Sequence, residues 1–156
     1  MKILIVYYSR TGQTHRVAQD LAKHLSADSE ELIDTTKRSG ILGYLSGGRD
    51  AMKKSLTTLQ PTSHNPADYD FVTIGLPVWG WNLTPAIRTY LAEHGPQIKK
   101  YAFFVTSGNT DAVKLLPCFA EVMPSEPQAY VGFSTAELQD ATIYENKMQQ
   151  FISQLQ

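Results

Sequence analysis

The chain has 156 residues, 42% hydrophobic and 19% charged, and carries a formal net charge of −1. That length suits one domain, residues 1–156, around one sizeable core. The near-neutral balance argues against a nucleic-acid or membrane-surface protein, and the single cysteine, Cys118, excludes a disulfide framework or a cysteine-rich metal site within one chain.

The N-terminal run Met1–Val6 is apolar for too few residues to be a signal peptide or a spanning helix, so a cytoplasmic location is expected. Within it, Ile3–Tyr7 has no in/out alternation, which predicts a strand buried on both faces, as in a parallel sheet. A polar corner follows: Ser9, Arg10, Thr11, Gly12, Gln13 and Thr14. From Thr14 onward, Val17, Leu21, Ala22 and Leu25 keep helical spacing. A strand-to-helix corner offers unpaired N–H groups and a positive dipole end, and the hydroxyls add donors, so it suits a phosphate. It is neither a dinucleotide fingerprint nor a P-loop, since G-x-G-x-x-G and Gly-Lys-Ser/Thr are both missing. The competing reading is plain helix capping by Thr11 or Thr14.

A weaker strand is expected at Glu31–Asp34. The segment Thr35–Pro66 is less regular, with several glycines and a short helical piece near Arg49–Leu56. Phe71–Leu76 predicts the third strand. It leads into Pro77, Val78, Trp79, Gly80, Trp81 and Asn82, a loop holding both tryptophans. Indoles at a sheet rim cover something flat or apolar; the alternative is a core cap or a dimer contact. Pro85 predicts the first turn of a helix carrying Ile87 and Leu91. Tyr101–Thr106 is the fourth strand, and Ser107, Gly108 and Asn109 form a small polar loop after it, which also reads as a simple Asx-capped turn. Pro117 falls inside the next helix and should kink or restart it. Tyr130–Phe133 is the fifth strand, and Met148, Phe151, Ile152 and Leu155 mark the last helix.

Strands alternating with helices predict an α/β domain with a mostly parallel sheet. In such a sheet the three polar or aromatic loops, each following a strand, share one edge. A ligand with a phosphate tail and a flat ring suits them. His15, His24, His64 and His94 are scattered and read as surface residues, with no acid–base pair or metal cluster evident.

The run Ile5–Leu21 resembles the flavodoxin signature over its full length, and Pro77-Val78-Trp79 with Thr84-Pro85 is similar to the second flavin loop of flavodoxin-like proteins. The resemblance covers the chain end to end. It implies a flavodoxin-like three-layer sandwich with a five-stranded parallel sheet in the order 2-1-3-4-5, binding FMN noncovalently at the sheet edge. It also implies roles. Ser9, Thr11, Gly12, Gln13 and Thr14 would hold the phosphate, with Arg10 adding charge nearby. Pro77, Val78, Trp79, Gly80, Trp81 and Asn82 would line one side of the flavin ring. Ser107, Gly108 and Asn109 would approach its pyrimidine edge or the ribityl chain.

Two features depart from dedicated electron shuttles. Those are strongly acidic, whereas this chain has a net charge of −1. They often stack an aromatic from the third loop on the outer flavin face, and this loop has none. The segment holding Tyr44, Leu45, Gly47, Gly48 and Arg49 is the candidate cover; otherwise the face is open to a nicotinamide or quinone. The expected function is therefore an FMN redox flavoprotein, either a flavodoxin-type carrier for a partner protein or a small NAD(P)H or quinone oxidoreductase, as monomer or homodimer. The reading from another class is a flavodoxin-fold interaction module that uses no flavin.

Overall fold

The computed structural model describes residues 1–36, 53–109 and 111–155. Five strands, β1 (Ile3–Tyr7), β2 (Asp28–Glu31), β3 (Phe71–Pro77), β4 (Tyr101–Ser107) and β5 (Tyr130–Ser134), pair in parallel in the order β2-β1-β3-β4-β5. The helices among the described residues are α1 (Gln13–Leu25), α2 (Pro85–His94), α3 (Leu116–Ala120), α4 (Thr135–Gln139) and α5 (Ala141–Ser153). Fold and strand order are those expected.

The apolar runs lack alternation because both sheet faces are covered. Leu4 and Val6 of β1 pack on one side with Ile87 and Leu91 of α2. Ile3, Ile5 and Tyr7 pack on the other with Val17 and Leu21 of α1 and Met148 and Phe151 of α5. Helix α2 opens as expected, with Pro85 in its first turn and Thr84 Oγ1 accepting the Ile87 N–H at 3.4 Å.

Four details differ from expectation or sharpen it. The second strand is Asp28–Glu31, not Glu31–Asp34. The apolar pair Leu32-Ile33 drew the expectation too far along, although Leu32 N–H still donates to Tyr7 O at 2.7 Å. An edge strand tolerates acidic residues, and Glu30 accepts from the backbone of Ser63 and His64 and bonds the His64 ring. Of the helical piece near Arg49–Leu56, residues 49–52 lie outside the described residues, and Lys53–Leu56 form a turn and irregular chain rather than helix. Pro117 does restart its helix: a 3-10 turn, Ala112–Leu115, gives way to α3 with Pro117 in its first turn. Finally, His94 is half-buried rather than fully exposed, its ring packing against Tyr90 at 4.7 Å at the end of α2.

Among the described residues, no helix is long and apolar enough to cross a membrane, and no group of His, Cys, Asp and Glu is placed to hold a metal ion.

Candidate functional site

The parallel sheet brings the loops after β1, β3 and β4 to its carboxyl edge, where open α/β sheets take their ligands. Thr106, at the end of β4, ties the three together. Its carbonyl accepts the Val78 N–H of the second loop at 3.0 Å. Its hydroxyl pairs with Thr14 Oγ1 of the first helix at 2.8 Å, and both residues are buried. The sequence placed Thr106 at the head of the third loop but gave no sign that it joins the other two. A hydroxyl ending an otherwise apolar strand was the only available signal.

At the first corner, Gly12 is the N-cap of α1, with φ +94° and no side-chain cap. Capping by Thr11 or Thr14 is therefore corrected: Thr11 is exposed, and Thr14 turns inward to Thr106. Ser9 takes part of that role instead. Its Oγ accepts N–H bonds from Gly12 at 3.2 Å and His15 at 3.1 Å, which leaves its own O–H proton to donate. The first two N–H groups of the helix, on Gln13 and Thr14, have no acceptor among the described residues, as helix geometry dictates. A Cβ built on Gly12 would meet nothing within 4 Å, so the space over the corner is open. This is a cradle of donors at the positive end of a 13-residue helix. Arg10 is half-buried beside it.

His15 borders the corner. Its Nδ1 lies 2.9 Å from the Tyr7 hydroxyl and 3.3 Å from Glu31. Tyr7 is pushed up to about 12, chiefly by burial and further by Glu31, against a lowering hydrogen bond from Gln19. It stays a neutral hydroxyl that orients His15 and Gln19.

The second loop separates its tryptophans. Trp79 is 5% exposed and packs edge-on against Tyr8 at 5.5 Å, inside the core. Trp81 is 58% exposed. Between them, Asn82 N–H donates to Trp79 O at 3.1 Å, with φ +55° at Gly80 and +59° at Trp81. Positive φ at both central positions makes this a type I′ turn. Glycine takes that conformation freely, but an indole-bearing residue does not, at a cost of about 1–2 kcal/mol. The strained residue is held on three sides. Lys114 Nζ sits 4.6 Å from the Trp81 ring centre. Cys118 Sγ contacts the Trp81 carbonyl at 3.7 Å. Asn82 Oδ1 accepts from Arg88 Nη2 at 2.6 Å and from Leu83 N–H at 2.9 Å. Arg88 is itself 6% exposed, a buried cation that the sequence reading missed. Burial pushes the Cys118 thiol up, which disfavours its thiolate. Pro77 and Val78 are half-buried at the root of the loop.

In the third loop, Ser107 is half-buried and its carbonyl accepts from Thr135 Oγ1 at 3.3 Å. Gly108 and Asn109 are exposed, and a Cβ on Gly108 would meet nothing within 4 Å. Asn109 also borders a polar depression of about 290 Å³ with Ser134, Glu137 and Lys147. Thr110 and the segment Tyr44–Arg49, named as candidate cover, lie outside the described residues.

The edge thus offers donors for an anion at one end, an exposed indole at the other and open backbone opposite. A family model for flavodoxin matches residues 2–155. The chain belongs to the flavodoxin family. Two solved structures show how far the flavodoxin likeness of the fold reaches. A flavoprotein from Lactobacillus acidophilus NCFM, crystallised in complex with FMN, is 23% identical, with a TM-score of 0.72 over 88% of this chain and 96% of that one. Oxidised flavodoxin 2 from Bacillus cereus is 17% identical, with a TM-score of 0.56 over 99% of this chain and 98% of that one. At these identities the likeness speaks to the fold alone. No curated protein sequence matches this flavodoxin-family chain.

Proposed function

We propose that the chain is an FMN-binding redox flavoprotein. The observation that carries this reading is the joining of three loops through Thr106, with unpaired helix N–H groups at one end and a strained, exposed Trp81 at the other. Family membership and the FMN-bound relative support it. In this reading Ser9, Thr11, Gly12, Gln13 and Thr14 hold the phosphate, with Arg10 adding positive charge. Pro77, Val78, Gly80, Trp81 and Asn82 line one side of the ring system, and buried Trp79 supports them from below. Ser107, Gly108 and Asn109 face the other edge.

FMN would supply one- and two-electron redox chemistry. The protein's part is to bind, orient and shield. Arg88 fixes Asn82, Asn82 fixes the turn, and the turn presents the Trp81 ring.

The bare third loop favours direct exchange with a second flat molecule, a nicotinamide or a quinone, over service as an acidic protein-to-protein shuttle. Anaerobic NADPH or NADH should then bleach the bound flavin within minutes. Bleaching only after a reductase protein is added would give the carrier role instead.

Trp81→Gly separates function from folding. Relief of the backbone strain offsets the extra chain entropy of glycine, about 0.5–1 kcal/mol, and the lost cation–π contact, about 0.5–1 kcal/mol. Stability in urea without FMN should therefore change by about 1 kcal/mol or less. FMN affinity should fall about fivefold or more, because the ring contact is lost. A large loss of stability with unchanged affinity would make Trp81 a structural residue.

A further inference from the structure

Arg88 is a buried cation where a neutral donor would serve. It is the fourth residue of α2, and its Nη2 donates to Asn82 Oδ1 at 2.6 Å, which is all that holding the second loop requires. A guanidinium taken out of water is costly unless it is well paired. Here the pairing is incomplete. The buried Nε–H has no acceptor among the described residues. Glu121, at the end of α3, lies 3.6 Å from Nη1, but it is open to solvent and shared with Lys54 at 2.7 Å.

A second cation reaches the same loop, with Lys114 Nζ 4.6 Å from the Trp81 ring centre. Asp111 lies three residues before it, exposed, with its carboxylate accepting the Val113 N–H at 3.1 Å. Among the described residues, Arg88 and Lys114 touch the second loop directly, whereas Glu121 meets it only through Arg88. Solvent and salt screen the exposed charges but act much less on the buried one. The loop is therefore backed by a positive charge that its contacts do not cancel. Such a charge favours the anionic form of a neighbouring group. The phosphate corner is on the first loop and has donors of its own. At the second loop an anion arises only on reduction. A hydride from a reduced nicotinamide carries two electrons and one proton to the neutral oxidised ring. It leaves that ring with one negative charge and the nicotinamide with one positive charge.

We propose that Arg88 tunes the bound flavin toward two-electron reduction, its buried charge favouring the anionic reduced ring over the neutral oxidised one. This rests on the FMN reading above and goes beyond it, because it gives the charge of Arg88 a role besides its hold on Asn82. The two-electron midpoint potential of the FMN-loaded chain is measured at neutral pH by dithionite titration against indicator dyes, beside the urea stability of the chain without FMN. Arg88→Met removes the charge. It should lower the ratio of reduced- to oxidised-flavin affinity about tenfold, the scale of a unit charge acting over about 10 Å at an effective dielectric constant of about 20, or about 30 mV. Arg88→Lys keeps a charge and should stay within about threefold of the parent. Glu121→Gln is a surface change that folding should tolerate. It removes the opposing carboxylate and should raise the potential, by about threefold in the same ratio or about 14 mV. Unchanged potentials in Arg88→Met and Glu121→Gln, shifts of the same sign, or Arg88→Lys as low as Arg88→Met would overturn the proposal and leave FMN binding standing. Failure of the parent chain to bind FMN would overturn both. If Arg88→Met does not fold, the sign of the Glu121→Gln shift decides alone.

Discussion

Gly75→Ala should destabilise the chain by about 3 kcal/mol, the upper end of the usual cost of overpacking a core. Gly75 lies within β3, paired to Tyr7 on one side and Phe104 on the other. A Cβ there would sit 2.2 Å from Phe104 Cζ and within 2.8 Å of both Cε atoms. Phe104 is fully buried among Ile5, Phe133 and Phe151 and has nowhere to swing. For a chain of this size the loss corresponds to a melting temperature lower by about 6–12 °C. The clash is with a ring tip, so Phe104→Leu should recover part of it. The double variant should be less destabilised than the sum of the singles, measured in urea. Additive losses would mean that the two residues do not meet. The effect should reach the functional edge as well, since β3 and β4 carry the second and third loops and are joined there by Val78 N–H to Thr106 O.

Thr14→Ala should weaken FMN binding about 10- to 150-fold, the worth of one hydrogen bond to a charged group, about 1.5–3 kcal/mol. The geometry makes this a demanding test. Without ligand, the Thr14 hydroxyl is spent on Thr106 Oγ1 at 2.8 Å. Either hydroxyl can be the donor, so Thr14 can accept from Thr106 and give its own proton outward. Thr106→Val is the control. It removes the partner but leaves the Thr14 hydroxyl in place, and FMN affinity should stay within about threefold. Equal, small effects from both variants would mean that Thr14 only buttresses β4 and that backbone N–H groups and Ser9 hold the phosphate. Fluorescence titration with FMN reads both variants.

The sequence made the frame plain. Ile3–Tyr7, Phe71–Leu76, Tyr101–Thr106 and Tyr130–Phe133 are apolar enough to announce buried parallel strands, and each differs from its observed strand by one residue or none. Their alternation with helices then put the three loops on one edge. The acidic β2 was misplaced because an edge strand needs little hydrophobicity and so leaves little pattern. The division of labour between Trp79 and Trp81 was not legible either. It depends on a type I′ turn whose second central position is held by tryptophan, against every local preference. Arg88 lies within the predicted helix after Pro85, and nothing in its sequence neighbours marks it out. Only packing showed it to be buried and bonded to Asn82, since its partner lies on a loop and not at helical spacing. The role of Thr106 arises between elements distant in the chain, where no local pattern reports it.

The proposed function requires that the corner Ser9–Thr14 be a phosphate site and the facing loops a flavin site. Titrating the purified chain with FMN and, separately, with riboflavin tests it most directly. Saturable one-to-one quenching by FMN is expected, with binding to riboflavin weaker by about 100-fold, because riboflavin lacks the phosphate that several charge-assisted hydrogen bonds would hold. No saturable binding of FMN would favour an interaction module that uses no flavin, and equal affinity for the two flavins would contradict the phosphate site.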